Sequence, residues 1–190
     1  MALRDNGTSA LSGAATRHVP QVQVQRLPPQ RPRATYIVEM TEITTPCYTC
    51  ASTETMDENG PSNAIWVTNG WRVAHSFNSA LLGWLVVVPR RHIESIHELS
   101  DDESVELGRL LRQVSKALVD VLGCQKTYVM MFAEASGFTH VHFHVVPRAH
   151  GLDVEHRGSS VLEYLKRPES EWIPLAAQDE LALALRAKGE

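Results

Sequence analysis

Residues 139–148 run Thr139-His140-Val141-His142-Phe143-His144-Val145-Val146-Pro147-Arg148, and no other segment constrains this chain so tightly. Histidines alternate with apolar residues at period two, the pattern of a half-buried strand whose successive side chains point to opposite faces. On such a strand His140, His142 and His144 share one face, each ~6.6 to 6.8 Å from the next, while Val141, Phe143 and Val145 enter a core. A polar sheet face that used histidine by chance explains this poorly, because clustered imidazoles serve catalysis or metal binding. Two chemistries fit. Either the three imidazoles jointly hold a catalytic metal, or a neutral imidazole attacks phosphorus while its neighbours take other roles.

The segments around this stretch supply a sheet and a helix. Ala64 to Thr68 and Trp71 to Ser76 are apolar runs separated by Asn69-Gly70, which predicts a hairpin with a type I′ turn. Gly83 to Val88 is apolar on both faces, as a central strand would be, and Pro89 ends it. From Ser100 the period changes to that of a helix. Ser100 and Glu103 form a capping box, Leu107, Leu110, Leu111, Val114, Leu118, Val121 and Leu122 repeat at helical spacing, and Gly123 is the stop. The helix presents one broad apolar face, suited to packing on a sheet. Strands are expected again at Thr127 to Phe132 and His140 to Val146, the last closed by Pro147, with shorter helices at Ser159 to Leu165 and Gln178 to Ala187. The polar stretch Ser52 to Asn63, with Asn59-Gly60-Pro61, is expected to be a loop.

A chain of 190 residues, 43% hydrophobic and 21% charged, accommodates one compact domain with appendages and excludes whole-chain disorder. The three expected parts are a flexible tail over 1–35, a domain over 36–150, and a C-terminal extension over 151–190. The tail has no aromatic residue, four of the ten prolines, and five Arg against one Asp. Subtracting its +4 from the whole-chain −4 leaves −8 on the remainder, so no global field draws nucleic acid and any phosphate must be held by a local pocket. No apolar run reaches the ~18 residues of a membrane helix. The N-terminus lacks the continuous apolar region of a secretory signal, so a cytoplasmic location is expected. In that reducing setting Cys47-Tyr-Thr-Cys50 is a metal pair rather than a disulfide, and two thiolates leave two ligands to find. His92, after Pro89-Arg90-Arg91, is one candidate, and the first histidine of the triad, His140, another.

His140-Val141-His142-Phe143-His144-Val145-Val146 resembles the histidine triad (HIT) pattern, in which three histidines alternate with apolar residues. Leu82-Gly83-Trp84-Leu85-Val86-Val87-Val88-Pro89-Arg90-Arg91-His92 resembles the strand and Pro-Lys/Arg-x-His segment that precedes it in that family, and the Cys pair matches its zinc-bearing subset. The resemblance covers roughly 46–148. It implies an α+β fold in which an antiparallel sheet of about five strands packs against a long helix and a short helix. It also implies a homodimer that cleaves or transfers a nucleotidyl group, with a dinucleoside polyphosphate or nucleoside phosphoramidate as substrate. His142 would attack the α-phosphorus to form a covalent nucleotidyl-histidine, His144 would donate to a phosphate oxygen, and Cys47, Cys50, His92 and His140 would hold a structural Zn2+.

Two departures from the family pattern concern substrate contacts. The family usually carries a Gly-Gln-Ser/Thr-Val run before the triad, where this chain has Ala135-Ser136-Gly137-Phe138-Thr139, leaving Ser136 as the candidate donor and Glu134 as a neighbour able to act on substrate. An acidic ribose-binding residue is also missing, and Ser76 and Asn78 stand in that segment. Trp66, Trp71 and Trp84 are expected in the core or pocket walls, and Trp172 over the pocket. A zinc-braced nucleotide-binding module of low turnover and a three-histidine metalloenzyme are the alternative functions.

Overall fold

The computed structural model of this protein describes residues 47–188. The expected tail over 1–35, and the start of order near Tyr36, lie outside them. Five strands form one antiparallel sheet: β1 (Trp66–Val67), β2 (Trp71–His75), β3 (Leu85–Pro89), β4 (Lys126–Met130) and β5 (Phe143–Arg148), in the order β1-β2-β3-β5-β4. Three α-helices accompany it among the described residues: α1 (Tyr48–Glu54), α2 (Asp101–Leu122) and α3 (Leu175–Arg186). This is the expected α+β architecture.

The long helix forms where its signals lie. Ser100 accepts from the Glu103 N–H, the Glu103 side chain accepts from the Ser100 N–H, and Gly123 closes the helix in the left-handed conformation at φ 61°. Leu107, Leu110, Val114, Ala117 and Leu118 of α2 are buried in one core with Trp71, Val73, Leu85, Val87, Val141, Phe143 and Val145 from the sheet side. Leu181, Ala182 and Leu185 of α3 complete this core. A second cluster, Trp84, Val146 and Val161, is closed by the 3-10 turn Gly158–Leu165.

Four local expectations change. The strand expected from His140 begins at Phe143, so of the three histidines only His144 lies in β5. It also continues through Pro147, which pairs with Thr127 of β4. The β3 ladder ends at Leu85↔Val145, so Pro147 lies beyond its last pair and its missing N–H breaks no rung there. The hairpin turn sits at Asn69-Gly70 as expected, but neither residue has positive φ, so it is not type I′. A local bond and a tertiary one hold it instead: the Trp71 N–H donates to Thr68 Oγ1, and the Arg90 N–H donates to the Gly70 carbonyl. Part of the expected 52–63 loop is helical in α1, a seven-residue element too short to be legible from periodicity. Its Tyr48 ring packs 4.9 Å from Phe77 and 5.0 Å from Phe138. At the C-terminus the stretch Ser159 to Leu165 winds as a 3-10 helix, and α3 starts at Leu175, directly after Pro174.

Gly83 makes the turn into β3 at φ 85°, and a Cβ there would meet Leu122 Cδ1 at 2.5 Å and Pro147 Cγ at 3.2 Å. Gly83→Ala is therefore expected to lower the free energy of unfolding by about 2 kcal/mol, from backbone strain plus overpacking, measured by urea denaturation.

Candidate functional site

Two constellations share the segment that leads into β5. In the first, Cys47 caps α1 and its Sγ accepts from the Cys50 N–H at 3.4 Å, so both sulfurs lie at the positive end of the helix. Across from them, His140 Nδ1 stands 3.6 Å from Cys47 Sγ and 3.5 Å from Cys50 Sγ, and His92 Nδ1 is 3.4 Å from Cys50 Sγ. The four ligand atoms lie within 4.8 Å of one another. A tetrahedral zinc with its usual N and S bond lengths separates N from S by about 3.6 Å, so these side chains fit such an ion.

The ring orientations agree with that use. The Pro89 carbonyl can only accept, so His140 Nε2 carries the proton it donates at 3.0 Å, and Nδ1 keeps its lone pair. His92 Nε2 is 3.4 Å from Glu94 Oε1, and Thr139 Oγ1 donates to the same oxygen at 2.8 Å. Arg91 anchors this loop to α2 by a two-point pair with Glu103, both bonds 2.8 Å, which with the capping bonds holds the Glu103 carboxyl down to about 2. Burial, then the neighbouring Cys47, pushes the Cys50 thiol up to about 11.

The second constellation lines a cavity of about 410 Å³. Its reactive end holds His142 and His144, with ring centroids 4.8 Å apart and planes at 83°. His142 Nδ1 lies 2.8 Å from the His140 carbonyl, so it donates there, and the neutral ring presents a bare lone pair at Nε2. The Trp84 indole N–H donates to His144 Nδ1 at 3.0 Å. An indole N–H cannot accept, so the proton of neutral His144 sits on Nε2 and that nitrogen is a donor. Burial first, then the adjacent His142, lowers His144 to about 4. As neutral rings the two thus hold opposite tautomers, a free lone pair beside an N–H donor.

His140 stands apart from them. It is fully buried in the Cys/His cluster and absent from the cavity wall. Among the described residues the three triad imidazoles do not converge on a common metal position, which removes the three-histidine metalloenzyme. Ser76 and Asn78 both line the cavity, with Ser76 Oγ donating to Asn78 Oδ1 at 3.0 Å. Ser136 is exposed in a turn and outside the wall, whereas Glu134 lines it. Trp172 meets Phe77 edge-on at 6.4 Å, behind a residue of the wall. Sequence reasoning missed Tyr48, Phe138 and Arg72 as wall residues; an arginine inside an otherwise apolar strand was the available signal for the last.

A family model described as HIT domain matches residues 57–151. The chain belongs to the HIT domain family. Among curated proteins it is 31% identical over 70 residues to an adenosine 5′-monophosphoramidase of Schizosaccharomyces pombe, covering 35% of this chain and 49% of that one. The chain thus spans about half the length of this curated relative. Among solved structures, a HIT-like protein involved in cell-cycle regulation from Bartonella henselae aligns with TM-score 0.55 at 18% identity, over 71% of this chain and 92% of that one. A zinc-bound histidine triad family protein from Mycobacterium smegmatis aligns with TM-score 0.53 at 16% identity, over 74% and 92%. These structures share the HIT fold with this chain.

His144 also couples stability to pH. An unfolded histidine titrates near 6.5 and folded His144 at about 4, so between these values the unfolded chain binds more protons. Its contribution is complete above about pH 6.5 and is lost as pH falls to about 4, on the order of 3 kcal/mol in all. Urea unfolding across that window is expected to show a shallower loss in His144→Asn, which keeps an acceptor for Trp84 but does not titrate.

Proposed function

We propose that this protein is a nucleotide phosphohydrolase or nucleotidyltransferase that works through a covalent nucleotidyl-histidine on His142. The observation that carries this reading is the His142 Nδ1–H bond to the His140 carbonyl, which places the lone pair of the neutral ring on Nε2 beside the donor His144. Nε2 attacks the α-phosphorus, a P–N bond forms, and the bond from phosphorus to its leaving group breaks. The leaving group departs with the bonding electrons and takes up a proton. Water or a second acceptor then attacks the same phosphorus, the P–N bond breaks, and His142 recovers its lone pair. His144 Nε2–H donates to a nonbridging phosphate oxygen as charge gathers there. The phosphoramidase relative supports a nucleoside phosphoramidate as substrate, with dinucleoside polyphosphates in the same class. Ser76 and Asn78 are proposed to contact the sugar, and Ser136 to reach the leaving group only when substrate draws its turn inward.

Cys47, Cys50, His92 and His140 are proposed to bind Zn2+. Bound there, the ion supplies a cross-link and no chemistry at phosphorus. Homodimeric assembly belongs to the same proposal and rests on the family resemblance, and a cytoplasmic location is proposed with it as the sequence expectation.

Incubation with adenosine 5′-phosphoramidate and rapid quenching is expected to yield a nucleotidyl adduct by intact-mass spectrometry. In His142→Asn the adduct disappears and turnover falls by on the order of a thousandfold or more. Full turnover in that variant would exclude the nucleophile, and tight nucleotide binding with no adduct in the native chain would leave a binding module instead. Trp84→Phe frees the tautomer of His144, and kcat is expected to fall about tenfold while the acid limb of the rate profile moves.

Metal analysis provides a separate check. About one zinc per chain is expected, lost or weakened in Cys47→Ser, with a lower thermal midpoint after chelation.

A further inference from the structure

The reaction above leaves one proton without an acceptor. When water attacks the nucleotidyl-histidine, the imidazole departs as a neutral ring and takes up no proton, because its Nδ1 already carries one. His144 cannot accept it either: its Nε2 is a donor, and its Nδ1 lone pair is engaged by the Trp84 indole N–H. Ser136 is turned outward. Glu134 remains. It is the single carboxylate in the cavity wall among the described residues, and it makes no hydrogen bond or ion pair with any of them.

The backbone brings this carboxylate to the reactive end. The β4/β5 ladder closes with Met130 opposite His144, and beyond it both chains run into the cavity wall, one through Phe132 and the other through His142. An extended chain would show only alternate residues to the cavity, yet Phe132, Ala133, Glu134 and Ala135 all line it. The chain turns at Ala133, whose φ of 53° makes it the one non-glycine residue with positive φ among the described residues. That conformation is costly for an alanine and persists where its surroundings fix it, commonly at functional sites. Here the far side of the turn is fixed. The Phe138 N–H donates to the Ala135 carbonyl at 2.8 Å, the Tyr48 N–H donates to the Gly137 carbonyl at 3.2 Å, and the Phe138 ring packs on Tyr48. Glu134 thus lies two residues past Phe132, at most ~7 Å of chain.

In-line displacement at phosphorus sets the entering and leaving atoms on opposite sides. With His142 Nε2 on one side, the first leaving group departs from the other, and the water that replaces it enters there. Direct contact between a carboxylate and phosphate oxygens is repulsive, so a donor has to stand between them, and the attacking water is such a donor.

We propose that Glu134 is the general base of the hydrolytic step. Its carboxylate takes a proton from the water as the O–P bond forms. The P–N bond breaks, its electron pair returns to His142 Nε2, and the proton passes from Glu134 to solvent. This rests on the nucleotidyl-histidine reading above and makes water the acceptor of that intermediate, so the protein is a phosphohydrolase.

Rapid-quench mass spectrometry with adenosine 5′-phosphoramidate, on the zinc-loaded full chain and on Glu134→Gln and Glu134→Ala, separates the two steps. Both variants are expected to form the His142 adduct at the native rate and to lose it about a hundredfold more slowly, so that it accumulates. Formate, which can refill the place of the missing carboxylate, is expected to speed that decay about tenfold in Glu134→Ala but not in Glu134→Gln. Native decay rates in both variants overturn the role of Glu134 and leave the nucleophile standing. Slower adduct formation with unchanged decay assigns the carboxylate to the first leaving group and overturns the base role. A decay defect that disappears with the 2′,3′-dideoxy substrate assigns it to the sugar, with the same consequence. If the native chain forms no adduct, the nucleotidyl-histidine reading falls and this proposal with it. Glu134 is exposed, so both variants are expected to keep the native thermal midpoint.

Discussion

The hydrogen bond from His142 Nδ1 to the His140 carbonyl couples the two halves of this protein's site. One residue faces two ways. The His140 side chain points its Nδ1 lone pair at Cys47 and Cys50, while its backbone carbonyl holds the proton of His142 and so leaves Nε2 bare. The carbonyl can do this only if residue 140 is immobile, and it is held on several sides. His140 Nε2 donates to the Pro89 carbonyl, and the next N–H, of Val141, donates to the Ile93 carbonyl at 2.8 Å. The loop carrying His92 is in turn pinned to the start of α2 through Arg91 and Glu103. The Cys/His cluster therefore positions the His142 ring through a backbone atom without lying in the cavity.

Within the cavity, charge is controlled by burial and by donors that cannot accept. Trp84 donates to His144, and desolvation keeps that ring neutral well below pH 7, so it presents an N–H without a positive charge. His75, on the same wall, is satisfied on both nitrogens: Nδ1 donates to the Ser76 carbonyl and Nε2 accepts from the Gly83 N–H. It braces the turn between β2 and β3 and takes no evident part in the chemistry. Arg72 is the contrast, a buried cation in the wall with an unsatisfied Nε.

Much of the fold was legible because its signals are local. The capping box at Ser100 and Glu103, the helical leucines and Gly123 depend on neighbours within one or two turns, and α2 starts and stops where they say. The chemistry of Cys-x2-Cys and of alternating histidines is similarly a matter of short spacing. What failed was any feature whose geometry is dictated from far along the chain. The turn at Asn69-Gly70 takes its shape from Arg90, α1 is held by ring contacts from Phe77 and Phe138, and β5 starts late because His140 and Val141 are bonded to Pro89 and Ile93.

By itself, the sequence determined the strand and helix segments, the long helix above all, and the residue types of the candidate metal cluster and of the triad, since period and spacing are properties of one segment at a time; the antiparallel α+β arrangement followed from the family resemblance. Only the tertiary structure decided that Ser136 faces outward and that Arg72 lines the same cavity as His142. The physical reason is the same in each case: a side chain's role depends on which donors, acceptors and apolar atoms the fold brings to it from distant segments.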